Sequence, residues 1–273
     1  MKKLYISDLD GTLLQNDCTL SEATIKIINK FIADGGYFSF STARSPASVS
    51  EFVRDIKLNI PLILMNGAMI YDIQKMKCIK IEFMEKNHIN AVIDIALENL
   101  CNFSIFSLEK EEIIVYNNET DKDEYYHFPN GKVFIKRYRK VEDINLLRDK
   151  NIFYFAFYDK KALLDPIDFA LKEKEDIEYV YYNDTYEDDF YFLEIFSKKA
   201  NKGNGLLFLK DFVGADFVTA FGDNSNDIIM LKSADKAVAV SNAVDALKEN
   251  ADEIIGNNFD DAVAKYIEKD FYK

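Results

Sequence analysis

Acidic side chains follow a short apolar stretch near the start of the chain. Asp8 and Asp10 come just after residues 4–6 and Ser7, and Gly11 favours a turn at this point. Two carboxylates at this spacing repel each other unless a cation or a shared proton relieves the repulsion. Mg²⁺ is the natural candidate, because it prefers oxygen ligands and keeps water molecules for a phosphate. An Asp–Gly turn can also be purely structural, so a magnesium site needs support from elsewhere in the chain.

That support comes from a second acidic group, which follows the apolar residues 217–221. Residues 222–227 read Gly-Asp-Asn-Ser-Asn-Asp, and they contain two acids and two amides. Helix capping explains part of this polarity, but capping does not require two acids. In an open parallel sheet, ligands bind beyond the carboxyl ends of the strands. We therefore expect Asp223 and Asp8 to face the same edge of one sheet.

Three further segments contain groups that could bind an anion. Residues 41–44 read Ser-Thr-Ala-Arg, and a hydroxyl beside the backbone N–H groups of a helix start is an anion site. Lys202 alone would be interpreted as a solvated surface charge. A pocket with three carboxylates needs a cation to bind an anion, however, and this favours a functional role for Lys202. Asn66 lies in a turn that is either structural or in contact with a substrate.

The elements that position these groups alternate between strand and helix at both ends of the chain. This order predicts a parallel sheet with crossover helices. The middle of the chain differs, because its strands alternate polar with apolar residues. We predict an α/β fold, with a Rossmann-like parallel-sheet core formed by residues 1–84 and 197–273. Residues 85–196 would form an inserted α+β cap domain.

Individual helices are also predicted from capping and periodicity. Ser45 and Pro46 predict the start of a helix that carries Phe52, Val53 and Ile56. Apolar residues at helical spacing predict helices over residues 86–100 and, in the cap, near residues 166–174.

Composition excludes several classes of protein. The chain has 273 residues and a net charge of −13, from 34 Lys and Arg against 47 Asp and Glu. Such a surface repels nucleic-acid phosphates and anionic lipid headgroups. Three scattered cysteines suit a reducing compartment, and the apolar runs are too short for a signal peptide or a bilayer span. We expect a cytoplasmic protein that binds a small molecule and has no nucleic-acid or membrane partner. The sequence does not indicate the oligomeric state.

In their order along the chain, these motifs resemble those of the haloacid dehalogenase (HAD) superfamily. The resemblance is to the Cof-type phosphatases with a large α/β cap, known as type IIB. Residues 8–12 are similar to the first motif, Thr42 to the second, Lys202 to the third and residues 222–227 to the fourth. Ala43 departs from the family pattern, because a glycine usually stands in the corresponding Thr-Gly-Arg run.

The resemblance implies a Mg²⁺-dependent phosphatase that acts on a small phosphorylated metabolite, such as a sugar phosphate. Asp8 would attack phosphorus to form an aspartyl-phosphate, and Asp10 would act as general acid and then as general base. The metal ligands would be Asp8, Asp223 and the backbone carbonyl of Asp10. The groups that hold the phosphoryl oxygens would be the backbone of Leu9 and Ala43 and the side chains of Thr42, Lys202 and Asn226. Supporting roles would belong to Asp227, which would orient Lys202 or a metal-bound water, and to Arg44 and Asn66. The cap would select the substrate.

Three other functions are compatible with the same residues. A phosphosugar mutase would return the phosphoryl group to a sugar instead of to water. A signalling receiver module also places acids, a hydroxyl and a lysine on a parallel sheet, but such a module is usually one small domain. A non-catalytic protein could use the cap to bind a partner.

Overall fold

A computed structural model describes residues 1–50, 54–99, 101–127, 131–174, 177–184 and 187–272. Phe52 and Val53 of the predicted second helix, and Leu100 of the helix predicted over residues 86–100, lie outside the described residues. The chain divides into two compact units. The first comprises Met1–Lys80, His127–Phe134 and Ala200–Lys273, and the second comprises Ile81–Tyr126 and Ile135–Lys199.

The strands belong to three sheets. In chain order they are β1 (Lys3–Ser7), β2 (Tyr37–Phe40), β3 (Leu62–Leu64), β4 (Met69–Asp72), β5 (Lys77–Ile81), β6 (Phe103–Glu109), β7 (Glu112–Asn117), β8 (Lys122–His127), β9 (Val133–Lys140), β10 (Ile152–Lys160), β11 (Glu178–Asn183), β12 (Phe190–Phe196), β13 (Phe217–Gly222), β14 (Lys236–Ala239) and β15 (Glu253–Ile254). β3, β4 and β5 form a small three-stranded sheet.

The helices are short to medium in length. They are α1 (Glu22–Ala33), α2 (Pro46–Val49), α3 (Lys86–Glu98), α4 (Lys161–Lys172), α5 (Lys202–Val213), α6 (Ile228–Ser233), α7 (Asp245–Lys248) and α8 (Ala262–Phe271). Within the described ranges, none of these helices combines the length and the hydropathy that crossing a bilayer would require.

Side-chain caps define where several helices begin. At the start of α1 the Ser21 hydroxyl accepts the Thr24 N–H, at 3.0 Å. At the start of α5 the Asn201 side chain accepts the Asn204 N–H, at 2.8 Å. Each cap satisfies a backbone donor that has no partner within its helix. The cap at Asn201 is important for the site, because it places Lys202 at the first position of α5.

The largest sheet of the first unit has five strands in the order β15-β14-β13-β1-β2. Its strands pair in parallel, and Ser7 at the end of β1 pairs with Phe221 of β13 and with Phe40 of β2. The three strands therefore end at one edge of the sheet. The loops that follow β13, β1 and β2 contain Asp223, Asp8 and Thr42, respectively.

The second unit is built on a seven-stranded sheet in the order β11-β12-β10-β6-β7-β9-β8. From β11 to β7 the neighbouring strands pair antiparallel, and β7 pairs with β9 in parallel. Apolar side chains of α3, α4 and one face of the sheet form its core. Fully buried members of that core include Ile93, Phe155, Ile167, Leu193 and Ile195.

The predicted fold class is confirmed, because a parallel-sheet core is interrupted by a second unit of mixed helix and antiparallel strand. Several features of the second unit differ from the sequence-based expectation, and strand β9 was missed as well as β8. Strand β8 lies at the edge of its sheet and is mostly polar, so that its pattern did not indicate a strand. Helix α4 begins at Lys161, five residues before Pro166, instead of near the proline. The buried Leu164 lies in these first turns, and its burial explains why the helix starts before the proline.

The segment His127–Phe134 groups with the first unit, although it lies within the range predicted for the cap. Its described residues contact β4 and the turn that follows it. The Phe134 ring packs edge-on against Tyr71, with 6.1 Å between centroids. The Lys132 ammonium donates to the Gln74 carbonyl oxygen at 2.7 Å.

Candidate active site

The loop after β1 turns sharply and brings its backbone close to Asp223. Gly11 has a φ of +78°, a conformation that favours glycine. A Cβ atom at Gly11 would lie 2.5 Å from Asp223 Oδ2. The Thr12 hydroxyl donates to Asp223 Oδ1 at 2.8 Å. The absence of a side chain at Gly11 thus allows the loops after β1 and β13 to meet.

Lys202 lies at the centre of the site, between two carboxylates. Its ammonium donates to Asp8 Oδ1 at 2.6 Å and to Asp227 Oδ1 at 2.5 Å. The lysine is 2% exposed, Asp8 is 6% exposed and Asp227 is fully buried. Ion pairs this deeply buried are retained only where the geometry satisfies both charges. Lys202 is therefore a structural and electrostatic part of the site rather than a surface charge.

Asp227 holds both Lys202 and the loop that contains Asp223. While its Oδ1 accepts the lysine, its Oδ2 accepts the backbone N–H groups of Asp223 and Asn224, each at 3.1 Å. Both oxygens of Asp227 thus have protein partners. A Cβ atom at Gly222 would lie 2.6 Å from the Asp227 Cβ, so glycine permits this close packing. These contacts favour Asp227 as a residue that orients Lys202.

Three carboxylates form a cluster that could hold a cation. Asp8, Asp223 and Asp227 each offer an oxygen, and the three oxygens lie within 4.8 Å of one another. Lys202 is the positive partner that contacts two of them, so the cluster has an excess of negative charge. Oxygen donors at this density match the preference of Mg²⁺. Because the oxygens of Asp227 already accept three hydrogen bonds, Asp8 and Asp223 are the better placed carboxylate ligands.

Burial and like charge perturb the titration of these groups. Burial raises the pKa of Asp8 well above its usual value, and the neighbouring Asp227 and Asp223 raise it further, against the opposing effect of Lys202. Burial also raises the pKa of Asp223 to about 6, while the Thr12 hydrogen bond opposes that rise. Burial would lower the pKa of Lys202, but Asp227 and Asp8 hold it above its ordinary value. Perturbed groups of this kind are common at functional sites.

Asp10 lies two residues beyond Asp8, but its carboxylate has a different partner. Arg44 binds it through two hydrogen bonds, from Nε to Oδ2 at 2.8 Å and from Nη2 to Oδ1 at 2.6 Å. The paired arrangement orients both side chains. Asp10 is about half exposed at its side chain, in contrast to the buried Asp8. The predicted supporting residue Arg44 is therefore a direct partner of the predicted acid and base.

The predicted phosphate-binding segments meet through one backbone and one side-chain hydrogen bond. The Asn66 N–H donates to the Thr42 carbonyl oxygen at 3.1 Å, and the Asn226 amide donates to Asn66 Oδ1 at 3.4 Å. Thr42 is 1% exposed, and its hydroxyl oxygen accepts the Arg44 N–H at 3.2 Å. Asn66 adopts a φ of +54° in this turn. Through Asn66, the loop after β3 is joined to the loops that contain Thr42 and Asn226.

The remaining predicted contacts are backbone groups of Leu9 and Ala43. Leu9 is fully buried, and Ala43 is half-buried between Thr42 and Arg44. Their phosphate-binding roles stay predictions. Sequence reasoning assigned no role to Thr12, although its hydroxyl joins the two acidic loops. Its place in the same short motif as Asp8 is the signal that could have identified it.

The family model for haloacid dehalogenase-like hydrolases matches residues 5–267. Among curated proteins, the chain is 27% identical over 277 residues to the 5-amino-6-(5-phospho-D-ribitylamino)uracil phosphatase YitU of Bacillus subtilis. That match covers 98% of this chain and 97% of the Bacillus protein.

Solved structures share the fold over the whole chain. A protein from Thermotoga maritima has a TM-score of 0.76 and 22% identity, with 98% of this chain and 97% of that chain covered. A sugar phosphatase of HAD subclass IIB has a TM-score of 0.72 and 21% identity, with 100% of this chain and 99% of that chain covered. The resemblance of the motifs to the HAD superfamily is confirmed, and this chain belongs to the haloacid dehalogenase-like hydrolases.

Proposed function

We propose that this hydrolase is a Mg²⁺-dependent phosphatase that acts on a small phosphorylated metabolite through an aspartyl-phosphate on Asp8. The strongest support for this proposal is the environment of the Asp8 carboxylate. The Asp8 carboxylate is buried at the end of a parallel strand, 2.6 Å from the Lys202 ammonium. A nucleophile that must approach an anionic phosphate needs such a neighbouring cation.

In the first step, an Asp8 oxygen forms a bond to phosphorus while the bond from phosphorus to the leaving oxygen breaks. Asp10 donates its proton to that oxygen, so that the product leaves as an alcohol. In the second step a water molecule attacks phosphorus, the bond to Asp8 breaks and Asp10 accepts the proton of the water. Inorganic phosphate leaves, and Asp8 and Asp10 return to their starting states.

Other side chains of the first unit would hold the phosphoryl group. Lys202 and Thr42 would bind its oxygens, and Asn226 would add an amide donor. Asp227 would keep Lys202 in place through the 2.5 Å contact. Phosphoryl transfer depends mainly on positioning and on charge neutralisation, for which these groups suffice together with a metal.

The acidic cluster supports magnesium as the cofactor. Asp8, Asp223 and the backbone carbonyl of Asp10 are the proposed ligands, as oxygen donors around a site with excess negative charge. When bound, Mg²⁺ would neutralise charge that develops on the phosphoryl oxygens.

The test of this function is the Asp8→Asn variant, assayed for phosphate release with a panel of small phosphate esters. We expect folded protein with no turnover, and no phosphorylated enzyme by mass spectrometry after an acid quench. Asp72→Asn is a matched control, since Asp72 is also a buried carboxylate with a lysine partner, Lys75, at 2.9 Å. Normal turnover by Asp8→Asn would refute the nucleophile assignment.

The cofactor has its own test, which is removal of divalent metal with excess chelator. Phosphate release should stop and should return when Mg²⁺ is restored. Unchanged rates in chelator would exclude the metal from the reaction. Product analysis on phosphosugars separates hydrolysis from the mutase alternative, because a mutase forms an isomeric phosphosugar and little free phosphate.

We also propose that the second unit, the predicted cap, determines which leaving group is accepted. The residues placed above in chemical roles all belong to the first unit, so that the second unit is free to differ in specificity. Tyr182 on β11 is 41% exposed and offers an aromatic ring, while its hydroxyl is hydrogen-bonded to Glu194. Tyr182→Ala should change the ratio of kcat/KM values between esters without changing the Mg²⁺ requirement. Equal loss for every ester would contradict a role in selection.

A further inference from the structure

The loop after β14 connects the two acidic loops of the site. Two of its backbone N–H groups hold the strand end and the loop that contains Asp223. Val240 donates to the Gly222 carbonyl oxygen at 3.3 Å, and Val244 donates to the Asp223 carbonyl oxygen at 2.9 Å. Between them, the Asn242 side-chain amide donates to the Gly11 carbonyl oxygen at 2.7 Å. We call residues 240–244 the bracket loop.

A second asparagine, Asn258, holds the Asn242 side-chain amide in its orientation. The Asn258 backbone N–H donates to Asn242 Oδ1 at 3.1 Å, which orients the amide so that its nitrogen faces Gly11. The Asn258 side chain, 5% exposed, donates to the Leu14 carbonyl oxygen at 2.8 Å. The bracket loop and Asn258 therefore hold two carbonyl groups of the loop after β1.

A hydrogen bond to the Gly11 carbonyl can fix the conformation of the loop after β1. Its peptide group joins Gly11 to Thr12, whose hydroxyl contacts Asp223 at 2.8 Å. Gly11 itself has an unusual φ of +78°, and as glycine it can adopt several other conformations. A hydrogen bond to its carbonyl therefore restricts a flexible residue directly beside Asp10 and the Thr12–Asp223 contact.

We propose that Asn242 is a positioning residue, which sets the geometry of the loop after β1 relative to Asp223 and thereby the affinity of the site for Mg²⁺. This inference rests on the proposed function, since that function places metal ligands in both loops. Asn242 touches neither the acidic side chains nor the phosphate-binding groups in the described contacts. Its effect would pass through the Gly11 carbonyl.

The test compares Asn242→Ala with the matched control Asn250→Ala. The Asn250 amide also donates to a backbone carbonyl, that of Ala246, at the same distance of 2.7 Å, but it does so within the neighbourhood of α7. Isothermal titration of the metal-free proteins with Mg²⁺ gives a readout that does not depend on turnover. We expect Asn242→Ala to weaken Mg²⁺ binding by about 3- to 10-fold, the range that corresponds to one hydrogen bond. Asn250→Ala should bind Mg²⁺ like the wild type.

A second variant separates geometry from charge. Asn242→Asp keeps the shape of the side chain, removes the donor and adds a negative charge. Charge alone would strengthen Mg²⁺ binding, so weaker binding by Asn242→Asp supports the positioning role and stronger binding opposes it. Thermal unfolding of all variants checks that they are folded.

The outcomes distinguish this inference from the function on which it rests. Wild-type binding of Mg²⁺ by folded Asn242→Ala would overturn the positioning role and leave the phosphatase proposal intact. Failure of the wild type to bind Mg²⁺ would refute both. Mg²⁺ binding by the wild type without phosphate release from any ester would count against the phosphatase alone, while the titrations would still decide the role of Asn242.

Discussion

Glu194 on β12 provides a sharp prediction about stability, because its carboxyl group is buried with incomplete hydrogen bonding. The residue lies on an interior strand next to the edge strand β11, paired with Ala156 on one side and Val180 on the other. The Tyr154 and Tyr182 hydroxyls donate to the carboxyl group, but its Oε2 atom is inaccessible to water and has no partner. The exposed part of the side chain therefore does not include this oxygen.

Burial raises the pKa of Glu194 from 4.5 to about 7, and the two tyrosine hydrogen bonds oppose that rise. The unfolded chain loses this proton near the ordinary value, whereas the folded chain keeps it until higher pH. Between the two values the folded state binds more protons, so the free energy of unfolding falls as pH rises. Each pH unit of this window is worth about 1.4 kcal/mol, which gives a total loss of about 3 kcal/mol.

Urea unfolding of the wild type and of Glu194→Gln at pH values from 5 to 8 measures this effect. Gln cannot ionise, so the free energy of unfolding of the variant relative to the wild type should rise by about 3 kcal/mol across that range. Glu178→Gln, which removes an exposed carboxylate from β11, controls for the loss of one negative charge. A difference between wild type and Glu194→Gln that stays constant with pH would refute the reasoning.

Two further predictions concern the first unit. Lys202→Met leaves the carboxylates of Asp8 and Asp227 buried without their cation. The free energy of unfolding should therefore fall by about 3–5 kcal/mol, and phosphate release should be lost. A fall of less than about 1 kcal/mol in urea unfolding would contradict the central role of the lysine. Gly11→Ala should destabilise the protein more than Gly35→Ala and should abolish activity, because both glycines have positive φ but only Gly11 has Asp223 within 4 Å of the added Cβ. Equal losses of stability and activity in the two variants would show that backbone strain alone is responsible.

The sequence predicted most of the architecture that places the site. The alternation of strand and helix indicated a parallel sheet, and the acidic loops do follow its strands β1 and β13. Helix caps were also local signals, as Ser45 at the start of α2 illustrates. Polar strands at the sheet edge, such as β8, were missed because their stability depends on neighbours that are distant in the chain.

The sequence alone determined which side chains are available to the site and which strand ends present them. It could not determine their partners, because hydrogen bonds between distant residues depend on the direction of each side chain after folding. Only the tertiary structure shows that Lys202 divides its contacts between Asp8, 194 residues away, and Asp227. It likewise decided that Asp10 pairs with Arg44 and that Asn242 contacts Gly11, 231 residues away. These partners follow from how separate loops pack at one sheet edge, which no local pattern encodes.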